Sequence, residues 1–321
     1  MLDGSLCTST LHKFNMIKLY THKRIASNIF LEMISKRAYN GTKFCCGGYV
    51  TRQQRRNSYS KYQILGGYMA VRIEDTEKVR ALFGDWQETT IWSCLQKVMG
   101  EVYADSAQQP LAAMTSLGDF CYFAGRADAG LVEFQMNRSK AGMIFVPQNE
   151  EWEAVIKTVG GIRMKKSQRY ALKKEKGVFD EEKLNGIVSS LSPEYELCMI
   201  ERSLFDKCRQ IDWCSDWVAN FSDYEMFAKY AIGIVALKDG EPVAGASSYS
   251  AYRGGIEVEI VTKDGYRRRG LASVCGAKLI LECIKRGLYP SWDAQNPISA
   301  HLAQKLGYHP AGAYTVYVLE A

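Results

Sequence analysis

The sequence predicts a mixed α/β fold: a mostly antiparallel sheet flanked by helices over residues 190–321, preceded by a smaller α/β domain over 69–175. Three observations predict it. First, apolar residues alternate over 232–238 and 242–252, and Asp239 and Gly240 between them form a hairpin signal; Gly254 and Gly255 then start a third alternating run that ends at Thr262. Second, a basic, glycine-bearing turn at 267–272 opens a helix in which Leu271, Val274, Cys275 and Leu279 share a face, with Lys278 and Glu282 at its edge. Third, a strand at 288–294 and a helix at 296–308 lead to a last alternating strand at 313–319. Asn296 suits the N-cap of that helix, Pro297 its first position and Gly307 its C-cap.

The preceding elements follow in order. Residues 1–68 hold 11 Lys and Arg against Asp3 and Glu32 and show little periodicity, so they read as a basic extension. Such a head suits a nucleic-acid or membrane-surface arm, or an Arg-rich targeting segment. It also reads as a stretch outside the natural protein: codons for Gly66, Gly67 and Tyr68 can resemble a bacterial ribosome-binding site, which places the natural start at Met69. Helical spacing then covers 76–83 and 90–98, and short alternating runs cover 101–105, 111–116 and 119–124. A strand is expected at 142–146 and a helix at 150–159. The Lys- and Arg-rich run at 163–177 reads as a solvated face or linker at a domain boundary. Ser192 and Pro193 introduce a strand at 195–200, followed by helices at 201–208 and 224–229. Trp213 and Trp217, four residues apart, read as core packing.

Composition narrows the function. The net charge of +6 belongs to the basic head, because the remaining chain carries 30 basic and 33 acidic residues. A nucleic-acid role for the whole chain therefore loses its support. At 47% hydrophobic residues the chain is ordinary for a globular protein, and no apolar run approaches the ~20 residues that span a bilayer. Ten cysteines contain no Cys-x-x-Cys pair, and the four histidines (His12, His22, His301, His309) have no metal-site spacing, so no metal is expected. Scattered thiols such as Cys94, Cys121, Cys198 and Cys275 suit small buried hydrophobes in a reducing, cytoplasmic compartment.

The chemistry lies in the turn at 267–272. Arg267, Arg268 and Arg269 bring positive charge to a helix start whose N–H groups and dipole favour a pyrophosphate, and Gly270 and Ala272 are small where a ligand would approach. With the elements that follow, this turn resembles the GNAT superfamily of acyl-CoA N-acyltransferases. The family's Arg/Gln-x-x-Gly-x-Gly/Ala signature is met by Arg267, Gly270 and Ala272. Its subsequent strand, Asn and helix ending Leu-Gly-aromatic are met by Asn296, Leu306, Gly307 and Tyr308. The wording around Trp292, Asp293 and Asn296 resembles a smaller branch of zwittermicin-resistance-type acetyltransferases. The strong resemblance covers about 231–321, and a weaker one reaches back to about Met69. The first domain, with no second such turn, is expected to hold no cofactor; whether it is a degenerate copy of the same fold stays open.

The resemblance implies a bacterial-type acetyltransferase that uses acetyl-CoA as donor, without metal, and a primary amine of a small molecule as acceptor. A peptide or protein acceptor, or a non-catalytic CoA-binding module, are the alternatives. It implies that backbone groups of Ile260, Val261 and Thr262 bind the pantetheine arm where two strands splay apart. It further implies that Arg267, Arg268, Arg269, Gly270, Leu271 and Ala272 cradle the pyrophosphate, and that Asn296 orients the cofactor. The substrate ammonium must lose a proton before attack, and Glu259, then Asp293, then Glu257 are the carboxylates in reach. Many relatives place a Tyr seven residues after the Asn to protonate the leaving thiolate. Here that position is Ala303, so Ser299, His301 or Tyr308 inherit the role, or none is needed, since a thiolate leaves readily.

Overall fold

The computed structural model describes residues 62–65 and 68–321, and nearly all of the basic extension lies outside them. The chain folds as β1 (Tyr62–Leu65), β2 (Tyr68–Arg72), α1 (Glu77–Phe83), α2 (Thr89–Leu95), β3 (Glu101–Ala104), β4 (Ala112–Leu117), β5 (Phe120–Gly125), α3 (Ala129–Arg138), β6 (Ile144–Pro147), α4 (Glu150–Gly160) and β7 (Met164–Leu172). It continues with α5 (Glu181–Ser189), β8 (Glu196–Met199), α6 (Arg202–Arg209), α7 (Tyr224–Tyr230), β9 (Gly233–Lys238), β10 (Glu241–Tyr252) and β11 (Gly255–Thr262). The last elements are α8 (Leu271–Lys285), β12 (Tyr289–Ser291), β13 (Asp293–Ala294), α9 (Pro297–Lys305) and β14 (Pro310–Leu319).

The strands form two mixed sheets, in the orders β1-β2-β3-β4-β5-β6-β14-β7-β13 and β12-β11-β10-β9-β8. Among the described strands, only β5/β6 and β11/β12 pair in parallel. The β9–β10 turn has Asp239 at φ +52 and Gly240 at φ +76, the two left-handed residues that a tight hairpin requires. On β5, Cys121 and Phe123 face the core beneath α3 and α4, with the Phe123 ring 5.2 Å from that of Trp152. Phe120, Tyr122 and Ala124 face the opposite way, into a core that continues through the second sheet. Period-two alternation thus gives the larger sheet two buried faces. Trp217 is completely buried and meets Trp213 edge to face at 5.2 Å, so this pair is core packing.

Residues 69–175 and 190–321 share a sheet and a core: β14 lies between β6 and β7, pairing with both. The boundary expected near residue 175 therefore falls inside one compact unit. The basic run read as a solvated face or linker is the strand β7, whose middle residues are exposed while Met164 and Leu172 are buried. Four consecutive exposed residues, Lys165 to Gln168, leave no apolar alternation there to read. Helices α3 and α5 had no counterpart in the sequence reading, because their apolar faces are short and interrupted by Glu, Gln, Asn and Lys. The order β3-β4-β5-α3-β6-α4-β7 repeats that of β9-β10-β11-α8-β12-α9-β14. Among the described residues no helix is long and apolar enough to cross a membrane.

Candidate active site

The run 288–294, read as one strand, is two. β12 pairs with β11 only at Gly255/Tyr289, Ile256/Pro290 and Glu257/Ser291. At the buried Trp292 the chain leaves that sheet, and Asp293 and Ala294 pair with Ala171 and Tyr170 of β7. From Val258 to Thr262, β11 keeps β10 on one side and has no strand on the other. That edge offers backbone donors and acceptors that an extended ligand can satisfy.

The edge runs into the start of α8. Gly270 stands there at φ +80, a conformation that suits glycine, and no side chain caps the helix. The first intrahelical bond is Val274 N–H to Gly270 O, 3.1 Å, which leaves the N–H groups of Leu271, Ala272 and Ser273 without an intrahelical acceptor. Arg268 is also left-handed, at φ +61. The corresponding helix of the first repeat is closed: Asp128 Oδ1 accepts from Leu131 N–H at 2.9 Å. Its β5/β6 pair is also joined over four residues, without a splay. Of the two repeats, the second alone leaves both a strand edge and a helix start open.

A groove of about 1480 Å³ follows this edge. Ile260, Val261, Thr262, Arg267, Arg268, Gly270, Leu271, Ala272 and Asn296 line it. The side chain of Arg269 does not: it turns away to donate to the Tyr195 hydroxyl at 3.2 Å and to Gly265 O at 3.1 Å. Arg267 lies 2.8 Å from Asp264 Oδ1. Asn296 Oδ1 accepts from Ser299 N–H at 3.0 Å, the N-cap read from the sequence.

Beyond Val258 the groove becomes acidic. Glu259 lines it, and burial pushes its carboxyl up to about 7, with Asp216 and Asp119 adding like-charge repulsion. Asp216 is also raised, by burial and then by Asp119. Asp119 itself accepts a hydrogen bond from the Tyr249 hydroxyl. Asp293 lines the groove too, but its Oδ2 accepts from Arg169 Nε and from the Tyr314 hydroxyl at 3.0 Å, while Oδ1 has no protein partner. Burial raises the Asp293 carboxyl and the Arg169 guanidinium opposes this.

Glu257 does not line the groove. It is 8% exposed beneath the start of α2, where the Thr89 hydroxyl donates to it, and burial pushes its carboxyl up to about 7. Glu257 and Glu259 leave the same face of β11, as alternation requires, but Thr89 of α2 covers Glu257 while Glu259 opens to the groove. On α9, Ser299 and His301 line the groove. Ala303 is fully buried, so that face of the helix points into the core. Tyr308 is 2% exposed and donates to Pro290 O at 2.6 Å, away from the groove.

The sequence reading did not single out Asp119, Asp216 or Arg169, which supply much of the acidic end. Asp119 lies in the β4–β5 turn, Asp216 in a 3-10 turn at Ser215–Trp217 and Arg169 on β7. None belongs to a motif, and the run around Arg169 carries no apolar alternation that would mark its strand. Among the described residues no group of three or more His, Cys, Asp or Glu is placed to hold a metal ion.

Residues 80–317 match the model of the GNAT acetyltransferase family. An uncharacterized N-acetyltransferase of Bacillus subtilis (strain 168), YdfB, is 26% identical over 266 residues, which span 78% of this chain and 99% of that one. The crystal structure of a GCN5-related N-acetyltransferase-like protein from Streptococcus suis 89/1591 is 40% identical, with a TM-score of 0.74 over 77% of this chain and 99% of that one.

Proposed function

Because the chain belongs to the GNAT acetyltransferase family and is an N-acetyltransferase, we propose that it moves an acetyl group from acetyl-CoA to an amine of a small molecule carrying more than one positive charge. The observation that carries this reading is the polarity of the groove. Its lining is acidic at Asp119, Asp216 and Glu259 and basic at Arg268 and at Arg267, which also meets Asp264. The cation on the acidic side, Arg169, is committed to Asp293.

GNAT enzymes generally use acetyl-CoA, and the residues here fit a CoA ester. The open edge at Ile260, Val261 and Thr262 suits a chain of amides, and the uncapped start of α8 with Arg267 and Arg268 suits its pyrophosphate. When bound, acetyl-CoA supplies a thioester already activated towards an amine, so the protein mainly has to align the reactants and manage protons.

Glu259 is the base in this reading. A carboxyl near 7 is largely ionised just above neutrality, yet remains basic enough to take a proton from an ammonium at its moment of need. Asp119 and Asp216 then hold a second positive charge of the acceptor. Asp293, with Oδ2 occupied by Arg169 and Tyr314, orients rather than abstracts. Ser299, His301 and Lys305 are groove-lining groups on α9 with a proton to offer a leaving thiolate. The sequence wording that resembles the zwittermicin-resistance-type branch is in keeping with a polyamine-like or amino-sugar acceptor.

The test is acetyl-CoA turnover on a panel of amines matched in size and differing in charge. Dications should be preferred over monocations, and the preference should shrink as salt rises. Turnover that ignores acceptor charge would overturn the acceptor class, and absence of acetyl-CoA binding would overturn the donor.

A further inference from the structure

We propose that Arg169 is a positioning residue that keeps the acyl-donor slot open, by gripping Asp293 and holding the crossing strand away from β11. This rests on the donor reading above, but its structural arm can be tested without it. The parallel register of β12 on β11 is Gly255/Tyr289, Ile256/Pro290 and Glu257/Ser291. Continued for two residues, it would set Trp292 beside Val258 and Asp293 beside Glu259, and the near part of β11's open edge would be covered. No proline stops this, since the one between Leu288 and Ala294, at 290, already lies inside the paired part; only the Asp293 and Glu259 carboxylates, set side by side, would oppose it.

The strand is instead taken over by β7, and the pairing that does so is only two residues long, Asp293/Ala171 and Ala294/Tyr170. So short a ladder is weak by itself. Arg169 adds the missing hold. Its Nε meets Asp293 Oδ2, and its Nη2 donates to the Asp293 backbone carbonyl at 3.2 Å. One guanidinium thus fixes both the side chain and the main chain of the residue that crosses between sheets, with a planar, pre-organised fork that an ammonium lacks. Tyr314 on β14, opposite Arg169 in register, donates to the same carboxylate oxygen at 3.0 Å.

Arg169 is itself braced. Its guanidinium lies 4.7 Å over the Phe120 ring, and its side chain is 13% exposed. The pair is therefore largely desolvated, where losing one partner is far more costly than at a surface. The first repeat has no such crossing: β6 stays on β5 through Phe123/Pro147. The residue that opens the donor site of the second repeat is contributed by the strand that ends the first.

The test compares wild type with Arg169→Lys, Arg169→Ala and Asp293→Asn in full-length protein. Amide hydrogen exchange at residues 258–262 reads the edge directly, CoA titration by calorimetry reads the donor site, and steady-state kinetics separate the two substrates. Arg169→Ala should slow exchange at 258–262 as the strand closes on β11, weaken CoA at least ten-fold, and raise the donor KM more than the acceptor KM. Arg169→Lys, which keeps charge and most packing, and Asp293→Asn, which keeps the main-chain contact, should fall between; they decide the matter if the alanine variant does not fold. Folded variants with unchanged exchange at 258–262 and unchanged CoA affinity would overturn the proposal. If the wild type binds no CoA, the donor reading falls, and the exchange result alone decides the clamp.

Discussion

Asp128 and Gly270 occupy the same place in two repeats of one strand-helix unit and have opposite effects. Asp128 closes the start of α3 by accepting from Leu131 N–H at 2.9 Å, whereas Gly270, at φ +80, leaves the start of α8 without a side-chain cap. A helix start is an anion site only while its N–H groups are free. The position that a stability argument would fill with Asp is left to glycine where a phosphate-bearing donor is proposed to bind.

Giving α8 a cap of that kind should therefore remove the donor. Gly270→Asp puts a carboxylate among the N–H groups of Leu271 to Ser273, and CoA affinity measured by calorimetry should fall at least ten-fold. Gly270→Ala meets no atom within 4 Å but must adopt a positive φ, so it should cost about 1 kcal/mol of stability and less affinity than the aspartate.

Glu259 predicts a pH profile. Its carboxyl is pushed up to about 7, and the proposed base must be ionised to act, so kcat/KM should rise with pH through about 7. The substrate ammonium titrates higher, near ~10, and the two limbs are separable. Glu259→Gln should abolish the lower limb and reduce kcat roughly 100- to 10,000-fold.

Glu257 predicts a stability profile instead. Its pKa rises from 4.5 to about 7 on folding, so the native state holds its proton more tightly than the unfolded chain. The stabilisation is full below 4.5 and is lost as pH rises through about 7, a change on the order of 3 kcal/mol. Denaturant midpoints of Glu257→Gln should fall less than those of wild type between pH 5 and pH 8 (a window of roughly three pH units). Equal slopes in the two proteins would contradict this.

Asp119 and Asp216 predict charge selectivity. Replacing either by Asn should raise the KM of a dicationic acceptor by roughly five-fold, the equivalent of about 1 kcal/mol for one partly solvated ion pair. A monoamine of the same size should be little affected, and the difference should narrow at high salt.

Legibility followed locality. The hairpin at Asp239 and Gly240, the N-cap at Asn296 and the glycine at the start of α8 were readable because each depends on neighbours within a few residues. The strand β7 was hidden because its exposed stretch, Lys165 to Gln168, is polar throughout and reads as charge rather than as a strand. The run 288–294 was read as one strand because its composition is uniform, and its division at Trp292 depends on which sheets compete for it.

The sequence by itself determined the elements of the proposed donor half: a strand, a glycine-bearing basic turn and the start of a helix, contiguous from Val258 to Ala272, and therefore written as a motif. Only the tertiary structure decided the other half. It buried Glu257 under α2 and left Glu259 in the groove, turned the Arg269 side chain outward, and brought Asp119, Asp216 and Arg169 to one end of the groove from three distant elements. The physical reason is that periodicity records which face of an element is buried, while a site assembled from separate elements depends on which faces meet. That choice belongs to the packing of the two sheets, and no single stretch of the chain contains it.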